Sequence, residues 1–293
     1  LVGSEMCIRD STTTEAQREE FRTKGFVTVR GLFPRAEAEA AATWLHAQDP
    51  DAVAKSWTER EPGVPLAVYS VAHEGGTPVS RVITDSRIAA IATELMGEET
   101  YIWSSKVNVK AAWCGAVEYY HQDFIYWQPR GYPRSDMLSC MVFLEPHRVA
   151  NAALHLLPGT HGYGVMEHVP FVNVNGVHKV MIPPSRMREL HARHGIEAVE
   201  GEPGDAVFFH TLIVHGSAHN ISPQGRMIAL AQMNVRSNQP VEVRATAKAT
   251  NVARAEFEVG EAERRLAYFR DKLSRQRAAD DLTFNSPIPA EER

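Results

Sequence analysis

The chain has 293 residues, 44% of them hydrophobic and 23% charged, so its composition is that of a folded globular protein rather than a disordered or fibrous one. The net charge of −5 is spread without any long block of like charge, which argues against a nucleic-acid partner. No apolar run approaches the roughly 20 residues of a membrane span, and the first residues lack the pattern of a secretory signal, so we expect a cytoplasmic protein without a membrane partner.

Helical patterns dominate the first hundred residues. The opening LVGSEMCIRDS resembles a translated sequencing adaptor, so residues 1–12 are expected to be a non-native or disordered leader. Gly25 and Gly97 are typical helix stop signals, and the sequence FVTVRGLF after Gly25 predicts a strand. Three helices are predicted before residue 100, over residues 13–24, 34–48 and 85–96.

From residue 100 the hydrophobic pattern changes to a period of two, which is typical of β-strands. On the first of these strands Ser104, Lys106 and Asn108 share a polar face with Ile102, as expected for the interior of a barrel that holds a ligand. Many short strands predict a sandwich or barrel, and therefore a mainly β fold with flanking helices. Further strands, separated by Gly, Pro and Asn turns, are predicted over residues 118–126, 137–145, 153–157, 205–215 and 227–234.

The domain organisation predicted from these patterns is a single domain over residues 13–285, with its β core at about residues 100–237. Two more helices are predicted, at residues 183–194 and, with a strongly charged pattern, at residues 254–277. Residues 286–293 are expected to be a frayed tail. The three cysteines are too few and too irregularly spaced for a disulfide framework or a cysteine-type zinc site.

The sequence YYHQDFIYW, at residues 119–127, contains a His-x-Asp pair. Residues two apart on a strand point to the same side, so His121 and Asp123 could offer an imidazole and a carboxylate to one metal ion. Such a pair is common by chance, and the prediction of a metal site depends on a second element further along the chain.

That second element is a predicted hairpin, in which one strand ends at His215 and the next begins at Arg226. Two histidines and one carboxylate on a β scaffold form a facial triad, which leaves adjacent positions of iron(II) open for a chelating co-substrate and O₂. The guanidinium of Arg226 could hold the distal carboxylate of a dicarboxylate such as 2-oxoglutarate in two parallel hydrogen bonds. Ser217 or Ser222 could add a hydroxyl donor, although either serine is equally well explained as a turn residue.

Other histidines compete for these roles. His210 lies five residues before His215, so on an undistorted strand it would point to the opposite face, and we interpret it as a core residue or as a residue that supports the ligands. The remaining candidates are interpreted as turn or pocket residues that form hydrogen bonds, and they are His147, His155, His161 and His219.

The motifs HQDFIYW, LHLLPGTHGYG and VHGSAHNISPQGR resemble the phytanoyl-CoA dioxygenase family of Fe(II)- and 2-oxoglutarate-dependent oxygenases. The family pattern of H-x-D, PG[ST]H, and a distal His followed eleven residues later by Arg is matched in full, and the resemblance extends from about Ala16 to Pro240. It implies a double-stranded β-helix core, which is a jelly-roll of the cupin kind. It also implies iron(II), 2-oxoglutarate and O₂ as cofactor and co-substrates.

Within this family the nearest likeness is to the branch of proline 4-hydroxylase and ectoine hydroxylase, which KVNVKAAWCG also resembles. This likeness implies that Asn108 and Tyr120 line the 2-oxoglutarate pocket and that Lys106 and Trp127 contact substrate, with Ser104 in the same region. Trp127 could equally be a core aromatic residue, and Lys106 a surface lysine. Ser104 stands where the ectoine branch has a larger amide, which argues against ectoine as substrate. Residues 168–195 do not align with that branch.

The function expected from residues and resemblance together is hydroxylation of an unactivated C–H bond in a small molecule, such as a free amino or imino acid or a similar zwitterion. Oxidative cyclisation or desaturation at the same iron centre is an alternative. Halogenation is disfavoured, because related halogenases have Gly or Ala at the position of Asp123. A zinc hydrolase and a noncatalytic barrel are rivals from other classes, and the oligomeric state is left open.

Overall fold

The computed structural model describes residues 12–48, 68–70, 72–172 and 178–241. Within these ranges no helix is long and apolar enough to cross a membrane. Residues 1–11, the helix predicted at residues 254–277 and the tail at residues 286–293 lie outside the described residues, so the predicted domain boundaries stay predictions. The described α-helices are α1 (Glu15–Lys24), α2 (Arg35–His46), α3 (Pro78–Ile83), α4 (Ser86–Met96), α5 (Phe124–Trp127) and α6 (Pro184–His194).

The strands form two larger antiparallel sheets and a hairpin. The described strands are β1 (Phe26–Val29), β2 (Val68–Ser70), β3 (Thr100–Lys110), β4 (Glu118–His121), β5 (Met137–Phe143), β6 (Leu154–Leu156), β7 (Val169–Val172), β8 (His178–Met181), β9 (Glu197–Val199), β10 (Ala206–His210), β11 (His215–Ser217) and β12 (Arg226–Val235). The first sheet has the order β1-β10-β5-β12-β3-β2, the second has the order β4-β11-β6-β9, and β7 pairs with β8.

The two larger sheets pack face to face around one apolar cluster. Phe209 and Ile228 of the six-stranded sheet belong to the same buried cluster as Leu154 and Leu156 of the four-stranded sheet. The other face of the six-stranded sheet is buried against α2, α3 and α4 by a second cluster. Both faces of this sheet are therefore covered, and the predicted jelly-roll core with flanking helices is confirmed.

The three helices predicted in the first hundred residues are present with nearly the predicted bounds, whereas α3 (Pro78–Ile83) was not predicted. Thr14 caps α1 through a capping box with Gln17, and Gly25 ends this helix with φ of 84°. Asp85 caps α4, and Gly97 ends it with φ of 71°. Gly25 is also fixed by packing, because an added Cβ would lie 2.4 Å from Nδ1 of His161.

The predicted alternation on β3 fails at one point. The register between β12 and β3 runs regularly to Gln232 opposite Ser104 and then moves to Met233 opposite Ile102, so the strand contains a bulge. Ile102 consequently packs on the helix-covered face, whereas the prediction placed it on the polar face with Ser104. From Ser104 onward the predicted faces hold.

Two predicted strands are also shorter than expected. The strand predicted over residues 118–126 ends at His121, and the helix α5 follows it. The strand predicted over residues 205–215 ends at His210, whose Nδ1 accepts a hydrogen bond from the backbone N–H of Leu212 and closes a turn. These two bends bring the predicted metal ligands to the ends of short elements.

Candidate active site

Three predicted ligands converge between the two sheets. His121 is the last residue of β4, Asp123 lies in the turn before α5, and His215 is the first residue of β11, directly opposite His121. Oδ1 of Asp123 lies 3.6 Å from Nε2 of His121 and 3.6 Å from Nε2 of His215. One ligand atom from each side chain lies within 4.8 Å of the other two, and all three residues are buried. The strand argument for Asp123 is corrected here, because a turn rather than the strand positions it.

Hydrogen bonds fix the orientation of each ligand. Nδ1 of His121 lies 2.7 Å from the carbonyl oxygen of Tyr119, and Nδ1 of His215 lies 3.0 Å from that of Ile213. A carbonyl can only accept, so both Nδ1 atoms carry the proton and both Nε2 lone pairs face the shared point. The hydroxyl of Ser139 donates to Oδ2 of Asp123 at 3.0 Å, which leaves Oδ1 on the side of the imidazoles.

The charges of the site suit a cation. Burial acts to raise the pKa of Asp123, but the imidazoles of His215 and His121 and, to a smaller extent, the charge of Lys106 hold this pKa well below its ordinary range. Burial and the neighbouring His121 lower the pKa of His215 to about 4, so this imidazole is neutral at physiological pH. A carboxylate with a neutral imidazole is the state that a metal ion requires.

Gln122 ties the segments that carry the ligands to each other. Its side chain is fully buried, and its Nε2 donates to the carbonyl of Leu212 at 2.7 Å and to that of Gly164 at 2.8 Å. Its Oε1 accepts from the backbone N–H of Met166 at 2.8 Å. Gln122 stands between His121 and Asp123, and Leu212 lies just before His215. One side chain therefore links the two parts of the triad.

Arg226 lies inside the same barrel. It shares a strand face with Ile228 and Leu230 of the cluster between the sheets, and only 4% of it is exposed. Within the described residues Nε and Nη1 of Arg226 are buried and have no hydrogen-bond partner. Burial lowers the pKa of this guanidinium to about 10, so it is still a cation at neutral pH. A buried, unpaired guanidinium fits an anion with acceptor oxygens, such as a carboxylate.

Several residues predicted for the pocket line the same interior. Asn108 and Lys106 lie opposite Ile228 and Leu230 of β12, so their side chains share the interior face. Oδ1 of Asn108 is buried without a hydrogen-bond partner in the described part of the chain. Ser217 lies two residues from His215 on β11 and is buried on the same face.

Other predicted residues have different surroundings. Tyr120 packs against the cluster beneath α6, and its hydroxyl lies 3.0 Å from Nδ1 of His155. Trp127 is 3% exposed in an aromatic cluster, with its ring centroid 5.0 Å from that of Trp103. Ser222 belongs to the turn before β12, where its hydroxyl donates to Asn220 at 2.8 Å. Ser104 lies opposite Gln232 at the bulge of β3.

The remaining histidines do not join the triad. The ring of His210 lies 5.6 Å from that of His161, measured between centroids and tilted by 49°, and Nδ1 of His210 closes the turn after β10. Burial, with a smaller effect of His161, lowers the pKa of His210 to about 4. The interpretation of His210 as a core residue agrees with this geometry.

Sequence reasoning did not identify an ion pair between β4 and β8. Nζ of Lys179 lies 2.5 Å and 2.7 Å from the carboxylate oxygens of Glu118. A bulge in β4 places Glu118 opposite Ser217, two residues after the pairing of His121 with His215, so Glu118 faces the interior as well. Burial acts to raise the pKa of Glu118, but Lys179, His121 and Lys106 lower it. No local motif signals this pair, because Lys179 comes from the β7–β8 hairpin.

A jelly-roll that gathers two histidines and a carboxylate, with a buried unpaired arginine in the same barrel, defines the class of non-haem iron and 2-oxoglutarate-dependent dioxygenases. The model of the family "Phytanoyl-CoA dioxygenase (PhyH)" matches residues 21–228. The chain belongs to the phytanoyl-CoA dioxygenase family, as the sequence motifs predict.

Characterised relatives agree with this assignment. The ectoine dioxygenase of Stutzerimonas stutzeri (strain A1501) is 31% identical over 219 residues, which cover 71% of this chain and 72% of the relative. The L-proline trans-4-hydroxylase of Streptomyces griseoviridis is 28% identical over 179 residues, which cover 57% of this chain and 67% of the relative. The crystal structure of EctD from S. alaskensis with 2-oxoglutarate and 5-hydroxyectoine matches with a TM-score of 0.68 at 29% identity, over 80% of each chain.

Proposed function

We propose that this dioxygenase hydroxylates a C–H bond of a small zwitterion, such as a free amino or imino acid, with 2-oxoglutarate and O₂ as co-substrates. The observation that carries this proposal is the buried triad in one barrel with the unpaired guanidinium of Arg226. The relatives named for ectoine and L-proline support a small zwitterionic substrate. A cytoplasmic location and the absence of a nucleic-acid partner stay predictions from the composition.

In this proposal His121, Asp123 and His215 hold iron(II) through Nε2, Oδ1 and Nε2. Bound iron(II) with 2-oxoglutarate and O₂ supplies an oxidative decarboxylation that is coupled to insertion of oxygen into a C–H bond. The protein supplies position and shielding: the carbonyls of Tyr119 and Ile213 keep both imidazoles in one tautomer, and Ser139 keeps the carboxylate turned toward them.

The co-substrate pocket is assigned to Arg226, Asn108 and Ser217, whose side chains share the barrel interior, with Arg226 on the distal carboxylate. Tyr120 was predicted for this pocket on the resemblance alone, and its hydroxyl has His155 as its partner in the described residues. The substrate side is assigned to Lys106, Trp127 and Ser104. Lys106 has the strongest support of these three. Its charge lowers the pKa of both Asp123 and Glu118, so its ammonium group faces the same interior as the metal site.

Turnover with a panel of candidate substrates tests the proposal. Purified protein with Fe(II), ascorbate and 2-oxoglutarate is expected to release succinate with the correct amino or imino acid, and the product should gain one oxygen atom in mass. A loss of two hydrogens instead would indicate desaturation or cyclisation. Protein that releases no succinate with free amino acids, imino acids or a metabolite extract would contradict the proposed substrate class.

Replacing Lys106 with Ala is expected to raise the substrate KM about tenfold and to change the KM for 2-oxoglutarate by less than about twofold, because one charge-assisted hydrogen bond is lost. Steady-state kinetics with the substrate found in the panel measures both constants. Lys24→Ala is the control, because it removes an exposed lysine that pairs with Glu197. It should leave both KM values unchanged. Equal effects of Lys106→Ala on both constants would contradict the assigned role.

A further inference from the structure

His147 is a buried imidazole that the proposed mechanism does not use. It follows β5, and none of its surface is exposed. Its ring stacks on Phe143 with 4.2 Å between centroids and 19° between planes. Its Nε2 lies 2.9 Å from the backbone nitrogen of Leu154. Its Nδ1 is buried and has no hydrogen-bond partner in the part of the chain that the structure describes.

The contact with Leu154 determines the tautomer of His147. The backbone N–H can only donate, so Nε2 must accept, and the proton of the neutral ring is on Nδ1. The neutral form is favoured because burial and, next in size, the charge of Arg226 lower the pKa of His147 well below its ordinary value. His147 therefore presents a buried N–H donor without an acceptor, which is unfavourable unless a ligand supplies one.

The position of His147 relates this donor to Arg226. Phe143, on which the imidazole stacks, pairs with Ile228 of β12, and Arg226 lies two residues before Ile228 on the same face. The guanidinium of Arg226 also has two buried nitrogen atoms, Nε and Nη1, without acceptors in the described structure. A phenyl group at this position would keep the stack on Phe143 but would leave the backbone N–H of Leu154 without its acceptor, so Nε2 of His147 has a structural role. That role does not use Nδ1–H, which is the part of the ring left for a ligand.

We infer that Nδ1–H of His147 donates a hydrogen bond to the same distal carboxylate that Arg226 holds, so that His147 is a binding residue for 2-oxoglutarate. This inference rests on the proposed function, since it needs a dicarboxylate in the barrel. A carboxylate can accept from a guanidinium and an imidazole at once, because its two oxygens offer about four lone-pair positions.

The test compares 2-oxoglutarate with 2-oxopentanoate, which keeps the chelating 2-oxo acid but lacks the distal carboxylate. Binding to the Fe(II)-loaded protein without oxygen is followed by calorimetry and by the visible charge-transfer band. His147→Phe keeps a ring on Phe143 and removes both the Nδ1–H donor and the acceptor of the Leu154 N–H. We expect 2-oxoglutarate to bind about tenfold more weakly, with no change for 2-oxopentanoate, whose affinity reports any general loss of structure. His194→Phe is the matched control, because it makes the same replacement at the end of α6, where Nε2 of His194 lies 2.9 Å from the hydroxyl of Tyr163, and it should change neither affinity.

The outcomes separate the two proposals. Parallel weakening of both ligands in His147→Phe, or no change in either, would overturn the role of His147. Failure of the unaltered protein to bind 2-oxoglutarate at all would overturn the proposed function instead. If His147→Phe does not fold, ring nitrogen NMR of the unaltered protein with Zn(II) in place of iron decides the matter. The Nδ1–H proton should move downfield and exchange more slowly when 2-oxoglutarate is added, and an unchanged resonance would refute the hydrogen bond.

Discussion

Asp123→Ala is expected to lower the affinity for iron(II) by more than about 100-fold and to abolish turnover. Substitutions of groups that merely support metal ligands typically cost 10- to 100-fold, and loss of a ligand should exceed that range. Asp123 supplies the only negative charge of this group of three, and only the imidazoles of His121 and His215 remain without it. Iron content after anaerobic loading, calorimetry with Mn(II) and succinate release measure the effect.

Ser139→Ala is the matched control for Asp123. It keeps the carboxylate and removes the hydroxyl that donates to Oδ2 at 3.0 Å. The affinity for iron(II) should then fall by about tenfold to 100-fold, because the carboxylate is present but less well oriented. Unchanged iron binding in Asp123→Ala would refute the assignment of this residue as a ligand, whatever the control shows.

Arg226→Met is expected to weaken 2-oxoglutarate binding by about 100-fold or more and, unusually, to stabilise the protein in the absence of ligand. Two charge-assisted hydrogen bonds to a carboxylate are lost, each worth about 1.5–3 kcal/mol. The unliganded protein, however, buries this guanidinium without partners for Nε and Nη1, and burying an unpaired charge costs several kcal/mol. An apolar side chain of similar length removes that cost. Binding is measured by calorimetry and stability by the thermal midpoint.

For a chain of this size, Tm should rise by about 2–4 °C for each kcal/mol gained. Arg226→Lys is the control, because it keeps the charge but loses the planar fork, and it should weaken binding while leaving Tm near or below that of the unaltered protein. A fall in Tm for Arg226→Met, together with unchanged 2-oxoglutarate binding, would show that the guanidinium is a structural group.

Local patterns in the sequence predict most of the fold and the chemistry of the site. Helix caps such as Thr14 and Asp85 act within a few residues. The hairpin predicted between His215 and Arg226 is wrong, because β11 and β12 pair in different sheets, but the short connection between them still brings both residues into the interior between the sheets. The ligand types of His121, Asp123 and His215 then predict a metal site. The predictions of the helices and of the metal site succeed because each depends on residues that are close together in the chain or on the ligand types alone.

The features that sequence reasoning missed depend on distant contacts. The bulge of β3 comes from its pairing with β12, more than a hundred residues away, and it reverses the face of Ile102. Asp123 reaches the triad from a turn, because Gln122 and Ser139 bind the chain there rather than because a strand alternates. The Glu118–Lys179 pair joins β4 to a hairpin for which no motif exists. The hydrophobic periodicity of a single segment cannot predict these three features, because each depends on a second segment.

The hydrogen bonds of Gln122 affect how the protein acquires its metal. In the described residues, the side-chain amide of Gln122 makes its hydrogen bonds to the backbone groups of Leu212, Gly164 and Met166, and these bonds hold the bend at the triad. In domains that fold only when zinc binds, part of the free energy of metal binding is offset by the cost of ordering the ligands. Because protein hydrogen bonds hold this bend, we expect the tertiary structure to persist when a chelator removes the ion, which circular dichroism after treatment with a chelator would measure.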